Sequence, residues 1–232
     1  MTATALETPS TRADISRRIV AEFLGTGLLV AFVVGSGVMA QNLTDDVGLQ
    51  LLINDFATIT GLGVLIWALL PVSGAHINPA VTAVALAQRG ISRRDGVGYL
   101  LAQFAGALAG AGMAHLMFSQ NLVQSATTER TGAGLWLGEV VATAGLLLVI
   151  GVAQRTGRIA ALPLLVPAWI GSAYLFTSST SFANPAVTVG RAITDTFSGI
   201  SPADVPAFIA FQLLGAAIGA VLAAVLYPRE KP

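Results

Sequence analysis

The strongest constraint in this chain is a pentapeptide that occurs twice. Asn-Pro-Ala-Val-Thr stands at residues 78–82 and again at 184–188. A motif that recurs once in each half indicates an internal duplication. Asn is a favoured helix N-cap, and Pro is well tolerated at the position that follows it. The two copies therefore predict two helix starts, each with an Asn amide NH2 free to point away from its helix.

Composition indicates the solvent of the fold. Hydrophobic residues make up 54% of the 232 residues and charged residues only 10%. Such a chain cannot cover itself with polar surface, which predicts a lipid bilayer as its surroundings. The formal net charge of zero argues against a nucleic-acid partner, and the absence of Cys excludes disulfides and thiolate chemistry. No feature predicts an enzyme, a cofactor or a metal site.

Apolar segments of two lengths alternate along the chain. Six are long enough to cross about 30 Å of hydrocarbon, at residues 19–40, 49–70, 97–118, 135–153, 159–177 and 205–227. Two more, 72–87 and 184–193, contain the repeated motif and are too short to cross. Such segments are tolerated at membrane depth only when they are buried in protein or line a cavity. We predict an all-α membrane protein with six transmembrane helices and two re-entrant half-helices.

The two halves also match outside the motif. Glu22 with Thr26 in the first span corresponds to Glu139 with Thr143 in the fourth, and the third and sixth spans each carry a Gln. Three spans per repeat make the duplication inverted. Cytoplasmic N- and C-termini put most basic residues inside, as expected for membrane proteins. The inside residues are Arg12, Arg17, Arg18, Arg89, Arg93, Arg94, Arg155, Arg158, Arg229 and Lys231, and the outside ones are Arg130 and Arg191.

These motifs resemble the aquaporin and aquaglyceroporin family, also called the major intrinsic protein (MIP) family. The residues that carry the resemblance are Ser-Gly-Ala-His-Ile-Asn-Pro-Ala-Val-Thr at 73–82, Gly-Leu-Gly at 61–63, the two Glu and the second Asn-Pro-Ala. The resemblance implies a channel through each subunit of a homotetramer in the cell (inner) membrane. It also implies one channel domain over residues 15–228, with repeats at about 15–118 and 135–227. Residues 1–14 are then a disordered tail and 229–232 a short C-terminal tail.

The resemblance assigns roles to residues around the motif. The pore constriction comprises Asn78, Pro79, Ala80, Asn184, Pro185 and Ala186. Backbone carbonyls of the vestibules come from Gly74, Ala75, His76, Ser181, Phe182 and Ala183. Glu22, Glu139, Gln103 and Gln212 support the re-entrant loops, although buried carboxylates also serve as proton relays. His76 is either a structural residue or a pH gate, and His115 is expected at the membrane interface.

Selectivity is predicted to differ from that of most family members. Most carry Arg three residues after the second Asn, whereas this chain has Val187. The other filter positions map to Ser181, Thr60 and Ser172, all small. This pattern resembles the bacterial branch that lacks the filter Arg. It implies a wider opening for water and small neutral solutes such as glycerol, urea or metalloid hydroxides, including arsenite and methylarsenicals.

Arg191 complicates this prediction. It follows Val187 by four residues, so it lies on the same helical face about 6 Å further out. One hypothesis is that Arg191 partly replaces the missing Arg, with Asp55 as its partner, because an intramembrane carboxylate normally has one. The alternative is an interfacial Arg at a helix C-terminus, where a cation is favoured.

Two functional classes fit the sequence. The first is a passive channel. The second is a secondary transporter, because such proteins also use inverted repeats and broken helices. Dependence of flux on a proton or sodium gradient distinguishes them.

Overall fold

The computed structural model describes residues 14–228, and the chain there is helical. The tails predicted at 1–14 and 229–232 lie outside the described residues, apart from Asp14, as do Arg12, Arg229 and Lys231. The helices are α1 (Ile15–Leu43), α2 (Val47–Ser73), α3 (Pro79–Ala87), α4 (Arg93–Met117), α5 (Ala133–Arg155), α6 (Leu162–Phe176), α7 (Pro185–Arg191) and α8 (Val205–Leu226). A short 3-10 turn, Ile159–Ala161, leads into α6.

Within the described residues, six helices are long and apolar enough to cross a membrane, as predicted. They are α1, α2, α4, α5, α6 with its preceding turn, and α8. Local signals define several of their ends. Asp46 caps α2 by accepting from the Leu49 amide, and Ser92 caps α4 by accepting from the Asp95 amide. The predicted fold class, all-α with six transmembrane helices and two half-helices, is confirmed.

The two short helices begin at the repeated motif. The Asn78 side chain accepts from the Ala80 amide, and the Asn184 side chain accepts from the Ala186 amide, so each Asn is the N-cap of its helix. The first half-helix is shorter than the predicted 72–87. The reason is that α2 continues to Ser73 and ends at Gly74, whose φ of 88° is left-handed. The segment between Gly74 and Asn78 is not helical.

Close helix pairs hold each repeat together, and they correspond between the repeats. The pairs are α1 with α4 and α5 with α8. A Cβ on Gly110 would overlap the Gly27 carbonyl oxygen, and one on Gly219 would overlap the Ala144 carbonyl oxygen. Small residues allow such backbone approach in membranes, where helix association depends on packing rather than on exclusion of water. The paired helices thus form a rigid frame around both half-helices.

Candidate functional site

A cavity of about 350 Å³ runs between the two repeats. Its wall is mainly apolar and includes Leu62, Ile66, Leu146 and Val166. The loops that precede the two half-helices also line the cavity, and their lining residues include Asn78 and Asn184. A concave, apolar space with a few polar groups is the usual form of a site for small molecules.

The two Asn side chains tie the repeats to each other. Asn78 Nδ2 donates to the Ala183 carbonyl at 2.8 Å, and Asn184 Nδ2 donates to the Ile77 carbonyl at 2.9 Å. The prediction that both amide NH2 groups are free is therefore wrong in part. Because an amide NH2 has two hydrogens, one hydrogen on each Asn remains for a molecule in the cavity. The Ala183 carbonyl, predicted to face the vestibule, accepts the hydrogen bond from Asn78 instead.

The loops before both Asn residues have the same unusual backbone. Ala75 and Ile77 have φ of 48° and 40°, and Ser181 and Ala183 have φ of 50° and 47°. Non-glycine residues in the left-handed region cost about 1–3 kcal/mol each and persist only where the surroundings fix them. The two loops are equivalent residue by residue, and each needs external support.

Two buried carboxylates provide that support. Glu22 accepts from the amides of His76 at 3.0 Å and Ile77 at 2.6 Å. Glu139 accepts from the amides of Phe182 and Ala183, both at 2.9 Å. Each carboxylate is fully buried and bonds two successive amides of a strained loop.

The predicted glutamines complete the same arrangement. Gln103 donates to Glu22 at 2.8 Å, and Gln212 donates to Glu139 at 2.6 Å. Each Gln also donates at 2.9 Å to the Thr of its pentapeptide, Thr82 or Thr188. All four predicted support residues therefore lie between the frame helices and the half-helices.

His76 lies at the end of the cavity that the sequence predicts to face the cytoplasm, which we call the inner end, and the opposite end is called the outer end. Its Nδ1 is 3.1 Å from the Thr82 hydroxyl, and its ring meets Tyr99 edge-on at 5.2 Å between centroids. The Tyr99 hydroxyl donates to the Ser73 carbonyl and accepts from Arg18 Nε. Sequence reasoning missed Tyr99 and placed Arg18 only on the cytoplasmic side, although both side chains are buried.

Arg191 lies at the outer end and lines the cavity. Its Nε donates to the Ser198 carbonyl, and its guanidinium carbon is 3.3 Å from the centroid of the Phe182 ring. Nη1 is buried and has no hydrogen-bond partner among the described residues. Within residues 14–228, Asp55 forms no ion pair with Arg191, so that predicted pairing is wrong. A carbonyl and an aromatic face take the place of the carboxylate.

Two of the predicted filter positions lie away from the cavity. Thr60 and Ser172 are exposed, and each hydroxyl donates to a carbonyl of its own helix. The helical period explains the error for α2, because Thr58 and Leu62 share the cavity face and Thr60 lies between them on another face. Thr58 from α2 and Tyr174 from α6 line the cavity instead. The apolar period of α2 was the signal that could have found Thr58.

Several polar atoms at the outer end are buried without a partner among the described residues. They are Thr58 Oγ1, Ser181 Oγ and Arg191 Nη1 on cavity-lining residues, and Asp55 Oδ1. Asp55 lies one turn outward from Thr58 on the same face of α2. Buried polar atoms normally have hydrogen-bond partners. A polar molecule in the cavity could form hydrogen bonds with the atoms of this cluster.

Comparison with known proteins identifies the family. The family model described as major intrinsic protein matches residues 9–182, which is most of the chain. The chain belongs to the major intrinsic protein family. A similar relative is the "Aquaglyceroporin AqpS" of Rhizobium meliloti (strain 1021), 49% identical over 219 residues that cover 94% of each chain. Human "Aquaporin-5" is 34% identical over 224 residues, which are 91% of this chain and 79% of that one.

A solved structure supports the fold of this family member. The aquaglyceroporin from Plasmodium falciparum matches with a TM-score of 0.65 over 92% of this chain and 96% of that one, at 23% identity. Membership in a channel family makes this a multi-pass membrane protein of a non-enzymatic class. The family conducts water and small solutes across membranes.

Proposed function

We propose that this protein is a passive channel whose single channel domain conducts water and small neutral solutes through the central cavity. The observation that carries the proposal is the pair of Asn caps. Each is bonded to the opposite loop and keeps one amide hydrogen at the middle of the cavity. Two such donors bind one passing oxygen atom and interrupt a hydrogen-bonded file of water. The positive N-terminal ends of α3 and α7 disfavour cations at the same point.

The outer end supports a wide filter that accepts solutes with several hydroxyl groups. Val187, rather than Arg, lines the cavity three residues after Asn184, and the cationic group lies one turn further out on Arg191. Thr58 and Ser181 offer hydroxyls, Asp55 an acceptor and Arg191 a donor. A small polyhydroxylated molecule can bond several of these at once.

We infer a solute class from this chemistry. Glycerol, urea and metalloid hydroxides such as arsenite or methylarsenicals are small and neutral, and each presents several hydrogen-bonding groups. The 49% identical relative is described as an aquaglyceroporin, which supports permeation by more than water. The proposed outer filter consists of Thr58, Tyr174, Ser181, Val187 and Arg191, with Asp55 beside it.

The proposal extends to placement in the cell. The basic residues at 89–94 and 155–158, most of them exposed, favour a cytoplasmic location for those loops and hence for both termini, in the inner membrane. Large apolar side chains such as Phe56 and Trp67 are exposed on α2. They would be covered by lipid and by neighbouring subunits of a homotetramer.

Flux measurements test the proposal. Purified protein in proteoliposomes is challenged with water, glycerol, urea and arsenite gradients, and shrinkage is followed by light scattering. We expect non-saturating flux that is indifferent to an imposed proton or sodium gradient. Saturable flux driven by either ion gradient would support a secondary transporter instead.

A variant tests the outer filter separately. Arg191→Ala removes the only guanidinium that lines the cavity in the described part of the chain. We expect the ratio of glycerol to water permeability to change by about tenfold or more, on the scale of one lost charged hydrogen bond. Arg94→Ala is the matched control, because Arg94 is exposed and outside the cavity. Equal ratios in the two variants would remove Arg191 from the filter.

A further inference from the structure

A chain of buried polar side chains joins the end of α4 to the outer mouth. His115, predicted at the membrane interface, is instead fully buried. Its Nδ1 is 2.9 Å from the Leu122 carbonyl, and its Nε2 is 2.8 Å from the Thr194 hydroxyl. Thr194 lies 3.0 Å from the Thr196 hydroxyl, which lies 3.4 Å from Ser198 Oγ. Ser198 is the residue whose carbonyl accepts from Arg191.

The imidazole of His115 fixes the donor and acceptor in each hydrogen bond along this series of side chains. A carbonyl only accepts, so the hydrogen of the neutral imidazole is on Nδ1, and Nε2 is an acceptor. The Thr194 hydroxyl therefore donates to His115 and accepts from Thr196. Thr196 in turn accepts from Ser198. Each hydroxyl orientation depends on the previous one, and the imidazole determines the first.

The far end of the chain determines where the Arg191 guanidinium lies. Its hydrogen-bonded anchor is the Ser198 carbonyl, and its other contact is the Phe182 ring. Ser198 is fully buried, and its side chain lies beside Gly37 of α1, so the loop is packed against that helix. The Ile200 amide donates to the Arg191 carbonyl at 3.2 Å and closes the same loop on the helix end. A shift of residues 194–198 would therefore move Arg191.

We propose that His115 is a positioning residue for selectivity at the outer mouth. It acts through Thr194, Thr196 and Ser198 to hold Arg191 at the cavity wall. The inference rests on the proposed function of Arg191 in the outer filter. A residue that only fills the space of His115 removes the donor to the Leu122 carbonyl and the acceptor of the Thr194 hydroxyl hydrogen. The Thr194 hydroxyl is buried, and a buried hydrogen without an acceptor is costly, so the loop moves to satisfy it.

Selectivity per folded channel tests this role. The full-length variants His115→Phe, His115→Gln, Arg191→Ala and the His115→Phe/Arg191→Ala double variant are compared in proteoliposomes. The readout is the ratio of glycerol to water permeability. We expect His115→Phe to change the ratio by about threefold, in the same direction as Arg191→Ala. His115→Gln should restore the wild-type ratio, because Gln offers one donor and one acceptor.

The double variant separates positioning from general structural support. If His115 acts through Arg191, then His115→Phe has no further effect on the ratio once Arg191 is Ala. An additive change in the double variant would overturn the inference. So would an unchanged ratio in His115→Phe when Arg191→Ala alone alters it. An Arg191→Ala channel with the wild-type ratio would instead overturn the proposed outer filter, and the inference with it.

A second variant covers failure of His115→Phe to fold. Thr196→Val keeps the side-chain volume but breaks the chain in the middle, far from the α4 end. Thr196→Val should change the ratio of glycerol to water permeability in the same direction as Arg191→Ala. A wild-type ratio in Thr196→Val would contradict the proposal.

Discussion

The two half-helix modules share one frame but differ at the mouths they form. In the first module His76 meets Tyr99 edge-on, with 5.2 Å between centroids and 78° between planes. In the second, Phe182 meets Phe208 in the same way, at 5.1 Å and 70°. The position four residues after the Val of the pentapeptide is Ala85 in the first module and Arg191 in the second.

Cations are also placed differently in the two modules. At the inner end, Arg18 is 5.2 Å from the Tyr99 ring centroid and forms an ion pair with Asp95 at 2.7 Å. At the outer end, Arg191 lies against Phe182 and lines the cavity. The duplicated frame therefore fixes both loops, whereas a few side chains outside the frame make the two mouths chemically distinct.

The largest expected effect tests whether the frames are equivalent. In Glu22→Gln and Glu139→Gln, one acceptor oxygen is replaced by an NH2 that faces a backbone amide, at a cost of about 1–3 kcal/mol per unpaired group. Because each carboxylate bonds two amides of a strained loop, both variants should lose flux and most folded protein, measured by light scattering and size-exclusion chromatography. Glu129→Gln, in an exposed loop, is the control. Normal flux in either buried variant would break the equivalence.

A smaller effect tests the difference between the mouths. Phe182→Leu removes the ring beneath Arg191, a cation–π contact worth about 0.5–2 kcal/mol. We expect it to change the ratio of glycerol to water permeability by about twofold to thirtyfold. His76→Leu removes the corresponding inner ring, against which no cavity-lining guanidinium packs within residues 14–228. This variant should leave the ratio unchanged even if it alters absolute rates. Equal changes in the two ratios would mean that the inner mouth selects as strongly as the outer one.

The smallest effect concerns the outer loops at residues 118–132 and 192–204. The Thr127 amide and hydroxyl both donate to Asp195 Oδ1 at 2.9 Å, and these bonds lower the pKa of that exposed carboxyl. A carboxyl with a depressed folded pKa contributes stability above its unfolded value of about 3.9, and the contribution is lost as pH falls through the folded pKa.

Asp195→Asn should therefore lower the melting temperature slightly at neutral pH. The difference from wild type should shrink on acidification to about pH 3, below the unfolded value. Melting of the detergent-purified protein at both pH values measures it. Asp45→Asn, in the exposed loop after α1, is the control. A difference that grows on acidification would contradict the assignment.

The spanning helices, the half-helix starts and the matched Glu and Gln residues could all be predicted from the sequence alone. These features depend on short-range physics. Apolar length predicts a membrane span, and an Asn followed by Pro predicts a capped helix start. The duplication then implied that whatever supports one loop has an equivalent for the other.

Which side chains meet in the cavity could be seen only in the folded structure. Asn184 bonds a carbonyl 107 residues away in sequence, and His115 contacts a threonine 79 residues away. Thr58 rather than Thr60 lines the cavity because the packing of α2 against its neighbours fixes which helical face points inward. Local patterns contain no information on such long-range contacts, since these depend on how two separately specified repeats pack against each other.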